Sequence, residues 1–124
     1  MQKIVILDAN AILRYLMHDE KEQADEVEVI LNTEKILILP EVAAEVIYVL
    51  TKHYKLPHDF VSGIVFAFIK IFNSENSILM SAVETFGKTK LDFVDCLLYE
   101  YSKMPFYEIL TFDMQLKKLI AENA

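Results

Sequence analysis

Apolar residues along this chain follow two rhythms. Short unbroken runs rich in β-branched residues alternate with longer stretches in which apolar positions recur every three or four residues. The run at 3–7, Lys3-Ile4-Val5-Ile6-Leu7, has the pattern of a strand buried on both faces. A helix follows from about 11 to 17, capped by Asp8 or Asn10. A second, from about 20 to 31, carries Ala24, Val27, Ile30 and Leu31 at helical spacing. Residues 35–39 read as the next buried strand. Pro40 suits a first helical position, where its missing N–H has no partner to lose, and that helix runs to about 54, before Leu56-Pro57. His58 or Asp59 opens a helix to about 73; 78–80 reads as a short, weak strand, and Ser81 caps a brief helix ending near Gly87. Asp92 opens a helix to about 104 with Pro105 after it; 107–111 reads as the last strand and 114–121 as the last helix. The order is β-α-α-β-α-α-β-α-α-β-α. It predicts an α/β fold: one domain, spanning 1–124, with a parallel sheet of about four strands and helices on both faces.

Composition narrows this picture. The 124 residues suffice for one core, and 54% hydrophobic content is too high for a disordered chain. With only Gly 2 and Pro 3, the chain favours long helices over an all-β fold. The single Cys96 lies in an apolar helical stretch, reads as packing, and fits a reducing, cytoplasmic compartment. The apolar run after Lys3 stops at Asp8, which is unlike a signal peptide, and the stretch from Phe60 to Phe72 is broken and too short to span a bilayer. No membrane association is expected. In that stretch Phe60, Ile64, Phe66, Phe68, Ile69, Ile71 and Phe72 leave no clearly polar face. Either the helix is fully buried or part of it meets another chain, as in a homodimer.

Acidic residues sit just past three of the apolar runs. Asp8 follows the first, Glu41 and Glu45 follow the second, and Asp113 follows the last. If the runs are parallel strands, these acids gather along one sheet edge, where open α/β sheets bind ligands. Carboxylates gathered that way repel one another unless a hard cation lies between them. Each also has a bland reading. Asp8 and Asp113 make good helix N-caps, and Glu41 suits a first turn. Glu45 lies about 60° from Val42 and about 40° from Val49, at the margin of the apolar stripe, where a surface acid is out of place. Asp92 and Asp95 are an i, i+3 pair at a helix start; Asp95, among apolar neighbours, is the better ligand candidate and Asp92 is as well read as a cap. Carboxylate-only ligation suits Mg²⁺ or Mn²⁺, and His18, His53 and His58 lack the spacing that zinc would need. The net charge of −7, from Lys+Arg 12 against Asp+Glu 19, argues against a basic nucleic-acid surface but not against phosphate contact through a metal. Arg14, Lys88 and Lys90 are the cations nearest these acids in sequence.

Four segments, in order, resemble the PIN-domain family. They are Leu7-Asp8-Ala9-Asn10-Ala11-Ile12-Leu13-Arg14, Pro40-Glu41-Val42-Ala43-Ala44-Glu45, Asp92-Phe93-Val94-Asp95 and Thr111-Phe112-Asp113. At this length the chain is similar to the toxin ribonucleases of VapBC-type toxin–antitoxin pairs. The resemblance implies a Mg²⁺-dependent endoribonuclease, dimeric, with an antitoxin protein as partner. It places Asp8, Glu45, Asp95 and Asp113 at the catalytic centre, with Asp8 and Asp95 holding the metal directly. Two other enzyme classes fit less well. A phosphatase of the haloacid-dehalogenase type needs an Asp where Asn10 stands, and a receiver domain needs a phosphoacceptor Asp where Met80-Ser81 stands. A non-catalytic PIN-like binding module is the remaining alternative.

Overall fold

The computed structural model describes residues 3–72 and 77–123. Strand β1 (Ile4–Ile6) leads into helices α1 (Ala9–Met17) and α2 (Lys21–Thr33), then strand β2 (Lys35–Leu37). Helix α3 (Pro40–Tyr48) passes without a break into a π-helical turn, Val49–His53. Helices α4 (His58–Phe72), α5 (Ser77–Lys88), α6 (Phe93–Ser102) and α7 (Met114–Asn123) complete the chain.

Local chemistry accounts for these boundaries. Asp8 caps α1 by accepting the Ala11 N–H at 2.8 Å, and His18 ends it in the left-handed region at φ 55. Pro40 occupies the first turn of α3 as expected. The predicted helix end near 54 holds, but its last stretch is widened: the Tyr54 N–H reaches back to the Val49 carbonyl at 3.1 Å and the Leu56 N–H to that of Leu50 at 3.1 Å. The predicted helix from 58 matches α4; residue 73, its expected end, lies outside the described residues.

The sheet is smaller than expected. β1 and β2 pair in parallel, with Ile4 opposite Lys35, Val5 opposite Ile36 and Ile6 opposite Leu37. Among the described residues these are the two strands, in place of about four. Residues 78–80 belong to α5. Leu79, Ala82, Val83 and Phe86 are all buried, and their i, i+3, i+4, i+7 spacing makes the three-residue apolar run one turn of a helix. Residues 107–111 have no regular hydrogen-bonded structure. Their composition suits a strand, but a strand exists only through a ladder partner, and here only Ile109 packs on the core.

The two faces of the sheet differ in burial among the described residues. Leu7, Ile36 and Ile38 are buried on the inner face. The alternate positions Ile4, Ile6 and Leu37 stay open to solvent, at 52%, 55% and 36% exposure. The strands are therefore half-buried, not covered on two sides. The core lies between the inner sheet face and the helices, with Ile47, Leu50, Val61, Ile69, Leu79, Val83, Cys96 and Leu116 almost fully enclosed. α4 and α5 approach closely where Ser62 donates to the Val83 carbonyl at 2.8 Å and Gly87 faces Ser62: a Cβ at Gly87 would sit 2.5 Å from its Oγ. α4 buries one stripe (Val61, Ser62, Val65, Phe68, Ile69) and leaves Phe60 and Ile71 exposed. No described helix is long and apolar enough to cross a membrane.

Candidate active site

The parallel register brings the ends of β1 and β2 to one edge. Two residues past that edge stand Asp8 and Leu39, and α3 begins at the next residue. Glu45 follows in the second turn of α3, exposed as a residue at the margin of an apolar stripe can be. Tyr48 and Lys52 continue the same helical line at i+3 and i+7. This line faces the start of α6. Glu45, Tyr48, Lys52, His58, Asp92 and Asp95 are the polar walls of one groove of about 410 Å³, with Ile47, Phe86 and Phe93 among its apolar lining.

Asp92 holds the N-cap position of α6 yet makes no side-chain cap bond. Its carboxylate stands instead 4.0 Å from Lys52 Nζ, both side chains largely exposed. Asp95, in the first turn, is half-buried. Burial pushes its carboxyl above the usual aspartate range, and the charges of Asp113 and Asp92 push it the same way. Those two acids therefore lie close enough to Asp95 to act on it. Asp113 caps α7: its Oδ1 accepts the Leu116 N–H at 2.8 Å, while its own N–H donates to Thr111 Oγ1 at 3.1 Å.

Of the four residues expected at the centre, Glu45 and Asp95 share the groove and Asp113 is felt by Asp95. Asp8 stands at the strand edge as the cap of α1. Asp8 and Asp113 thus carry out the capping role open to any Asp at a helix start. Each spends one carboxylate oxygen on it, with no protein hydrogen bond on the other among the described residues. No three His, Cys, Asp or Glu side chains among the described residues are drawn together tightly enough to enclose a metal ion. The donor chemistry does suit a hard divalent cation. All the candidate ligands are carboxylates; Asp95 is raised first by burial and then by repulsion from Asp113 and Asp92, and that repulsion is what such an ion relieves. Glu41 is exposed in the first turn of α3, as its macrodipole reading implies.

The three histidines are helix-end residues. His58 is the most built-in: it stacks on Phe86, centroids 4.0 Å apart at 13°, and its Nδ1 lies 3.0 Å from the Thr89 carbonyl. Arg14 turns away from the acids toward Gln23 (2.8 Å) and Asp19 (3.4 Å). Tyr48, Lys52 and His58 are groove residues that reading the acids alone passes over. The i, i+3, i+7 spacing from Glu45 carries the first two; nothing local in sequence marks His58 as a neighbour. Sequence reading also passes over Glu100. Its buried carboxylate accepts from Thr85 Oγ1 at 2.7 Å and pairs with Lys103 at 3.2 Å, a structural role away from the groove. Cys96 is packing, as expected: it is fully buried, and burial pushes its thiol up to about 12.

No curated protein and no solved structure matches the chain at a significant level. The PIN domain family profile matches residues 5–121 of the 124. That span takes in β2 and all of β1 but Ile4, the four acidic segments and the groove between α3 and α6, and the chain belongs to the PIN domain family.

Proposed function

We propose that this chain is a Mg²⁺-dependent endoribonuclease that hydrolyses phosphodiester bonds, and that it acts as the toxin of a toxin–antitoxin pair in the cytoplasm. PIN domains are generally nucleases and typically bind divalent metals. The observation that carries the reading is the setting of Asp95: a half-buried carboxyl raised by burial and by two neighbouring acids, in a groove that also holds Glu45. Acids held that way are costly without a cation to offset them, and perturbed carboxyls in a cleft mark functional sites.

Asp8 and Asp95 would hold Mg²⁺, or Mn²⁺ in its place, with Glu45 and Asp113 completing the acidic shell. When bound, the ion lowers the pKa of a water and offsets charge on the phosphate being attacked. The chain's own residues do the positioning. The caps at α1 and α7 fix the directions of Asp8 and Asp113, and the first turn of α6 fixes Asp95. Tyr48 offers a flat ring at 64% exposure along the groove, a surface on which an unstacked base can rest. Asp95 must be ionised to bind metal, so affinity rises with pH through its raised pKa.

The test is Mg²⁺-dependent cleavage of a mixed pool of structured RNAs, wild type beside Asp8→Asn, with EDTA controls. Wild type should cut, EDTA should stop it, and Asp8→Asn should lose about 100-fold or more, since even outer-shell changes at metal sites cost 10–100-fold. Full activity in Asp8→Asn sinks the assignment. No cleavage together with no calorimetric Mg²⁺ binding leaves the chain a non-catalytic binding module.

A homodimer and an antitoxin partner belong to the same reading. They are supported by apolar side chains left in water, including Phe60, Ile71, Phe106, Leu110 and Phe112.

A further inference from the structure

Asp92 leaves the start of α6 without a side-chain cap, so other groups must set the direction of the turn that carries Asp95. That turn follows the short connection from Lys88 at the end of α5 to Phe93 at the start of α6. Leu91 and Phe93 are buried and hold it down. Apolar contact is non-directional, so it fixes the depth of the turn better than its rotation. The directional bonds are few. Within the connection, Thr89 Oγ1 donates to the Thr85 carbonyl at 3.0 Å, and the Leu91 N–H reaches Thr89 Oγ1 at 3.4 Å. Lys52 stands 4.0 Å from Asp92, but both side chains are largely exposed and such a pair holds little.

The remaining bond comes from His58, at the start of α4. Its Nδ1 lies 3.0 Å from the Thr89 carbonyl and 3.2 Å from the Phe86 carbonyl. Both partners can only accept, so Nδ1 carries the hydrogen and shares it between them. The Phe86 carbonyl belongs to the last turn of α5, where helical partners run out, and the Thr89 carbonyl belongs to the connection itself. One N–H therefore ties the end of α5 and the connection to α4. The ring that carries it lies flat on Phe86, and Phe86 meets Phe93 of α6 edge-on with centroids 6.2 Å apart.

We propose that His58 is a positioning residue for the acidic site. Its Nδ1–H, by clamping the carbonyls of Phe86 and Thr89, sets the start of α6 and with it the aim of the Asp95 carboxylate toward a divalent cation. In this role it touches neither the ion nor a substrate. The proposal rests on the metal reading of Asp95 and adds to it the group that holds this ligand ready. Groups that orient metal ligands from outside typically govern affinity by about 10–100-fold.

Two substitutions separate the N–H from the ring. His58→Phe keeps a flat ring on Phe86 and removes the donor. His58→Asn removes the ring and keeps an amide N–H close to where Nδ1 stands. Isothermal titration calorimetry of the full chain with Mg²⁺ alone should show about ten-fold weaker binding for His58→Phe. His58→Asn should bind nearly as wild type does. The metal-free protein gives a second readout. The Cys96 N–H donates to the Asp92 carbonyl at 3.1 Å in the first turn of α6. It should exchange with deuterium faster in His58→Phe than in wild type or His58→Asn. Val65→Ala, a buried position further along α4, should lower the melting temperature and leave Mg²⁺ affinity unchanged. Where His58→Phe does not fold, His58→Gln, whose amide stands one bond further out, takes its place.

An equal loss of affinity in His58→Asn overturns the proposal by assigning the effect to the ring. An equal loss in Val65→Ala overturns it by assigning the effect to stability. Mg²⁺ bound equally by wild type and His58→Phe removes the role of His58 and keeps the metal site. A wild type that binds no Mg²⁺ removes the metal reading and the proposal with it.

Discussion

Asp95 ties stability to pH. Its folded-state pKa is raised above the ordinary aspartate value of 3.8, first by burial and then by Asp113 and Asp92. A group shifted in that direction favours the folded state when protonated. The contribution is fully present below the unfolded value and is lost as pH rises through the folded one. At neutral pH, ionised Asp95 is therefore a liability in the metal-free protein. Asp95→Asn should melt higher than wild type at pH 7 in EDTA, and the gap should close on acidification below 3.8. Differential scanning fluorimetry reads this directly, and a lower melting point at pH 7 contradicts it. Added Mg²⁺ should narrow or reverse the gap, because only wild type gains the full set of ligands. The half-buried setting of Asp95 was legible in sequence from its place among apolar neighbours. The absence of a capping bond at Asp92 was not, because whether a cap residue turns inward or toward Lys52 is decided by the partner helix.

Among the elements, the contact between α4 and α5 is the tightest constraint. Gly87 leaves room for Ser62, whose hydroxyl is already committed to the Val83 carbonyl. Gly87→Ala places a methyl inside that space, so either the serine bond breaks or the helices part. Destabilisation of about 1–3 kcal/mol is expected, measured by urea unfolding. A neutral or stabilising result would show that the helices give way without cost. The same two helices mark where element prediction succeeded and where it failed. The period-3.6 pattern of α2 was readable because its stripe holds over several turns, whereas α4 was readable from its length and the stripe it buries was not. Residues 78–80 were misread because three apolar positions fit a strand as well as a helix; only the continuing spacing to Val83 and Phe86 decides. Residues 107–111 were misread for a different reason. Their residue types suit a strand, but pairing is a property of the neighbour, and no propensity reports it. The π-helical turn at Val49–His53 has no local signature either, although it positions Lys52.

At the scale of the whole molecule, exposed apolar surface is distributed over several places and is not confined to one helix. If the chain is a homodimer through α4, sedimentation velocity should show a species of twice the chain mass, and Phe60→Ser/Ile71→Ser should shift it toward monomer. A wild-type monomer at all concentrations rules that interface out. The expected α/β class and the single domain were readable from the alternation of patterns. The uncovered outer face of the sheet was not, since an unbroken apolar run looks the same whether or not a helix remains to cover it. The residues of the proposed acidic shell also hang on different parts of the chain. Asp8 and Glu45 are rooted in the sheet edge and α3. Asp113 arrives at the end of an exposed connection, on a helix whose one buried residue is Leu116. Leu116→Ala removes that anchor at a cost of about 2–5 kcal/mol. If α7 undocks as a unit, its amides should exchange with deuterium ahead of those in α4 and α5, while the main melting transition changes less than cleavage does. On the nuclease reading, catalytic competence then becomes an equilibrium constant between latched and open forms of one ten-residue arm. A protein binding that arm in its open form would, on the same reading, silence cleavage without ever touching the acids.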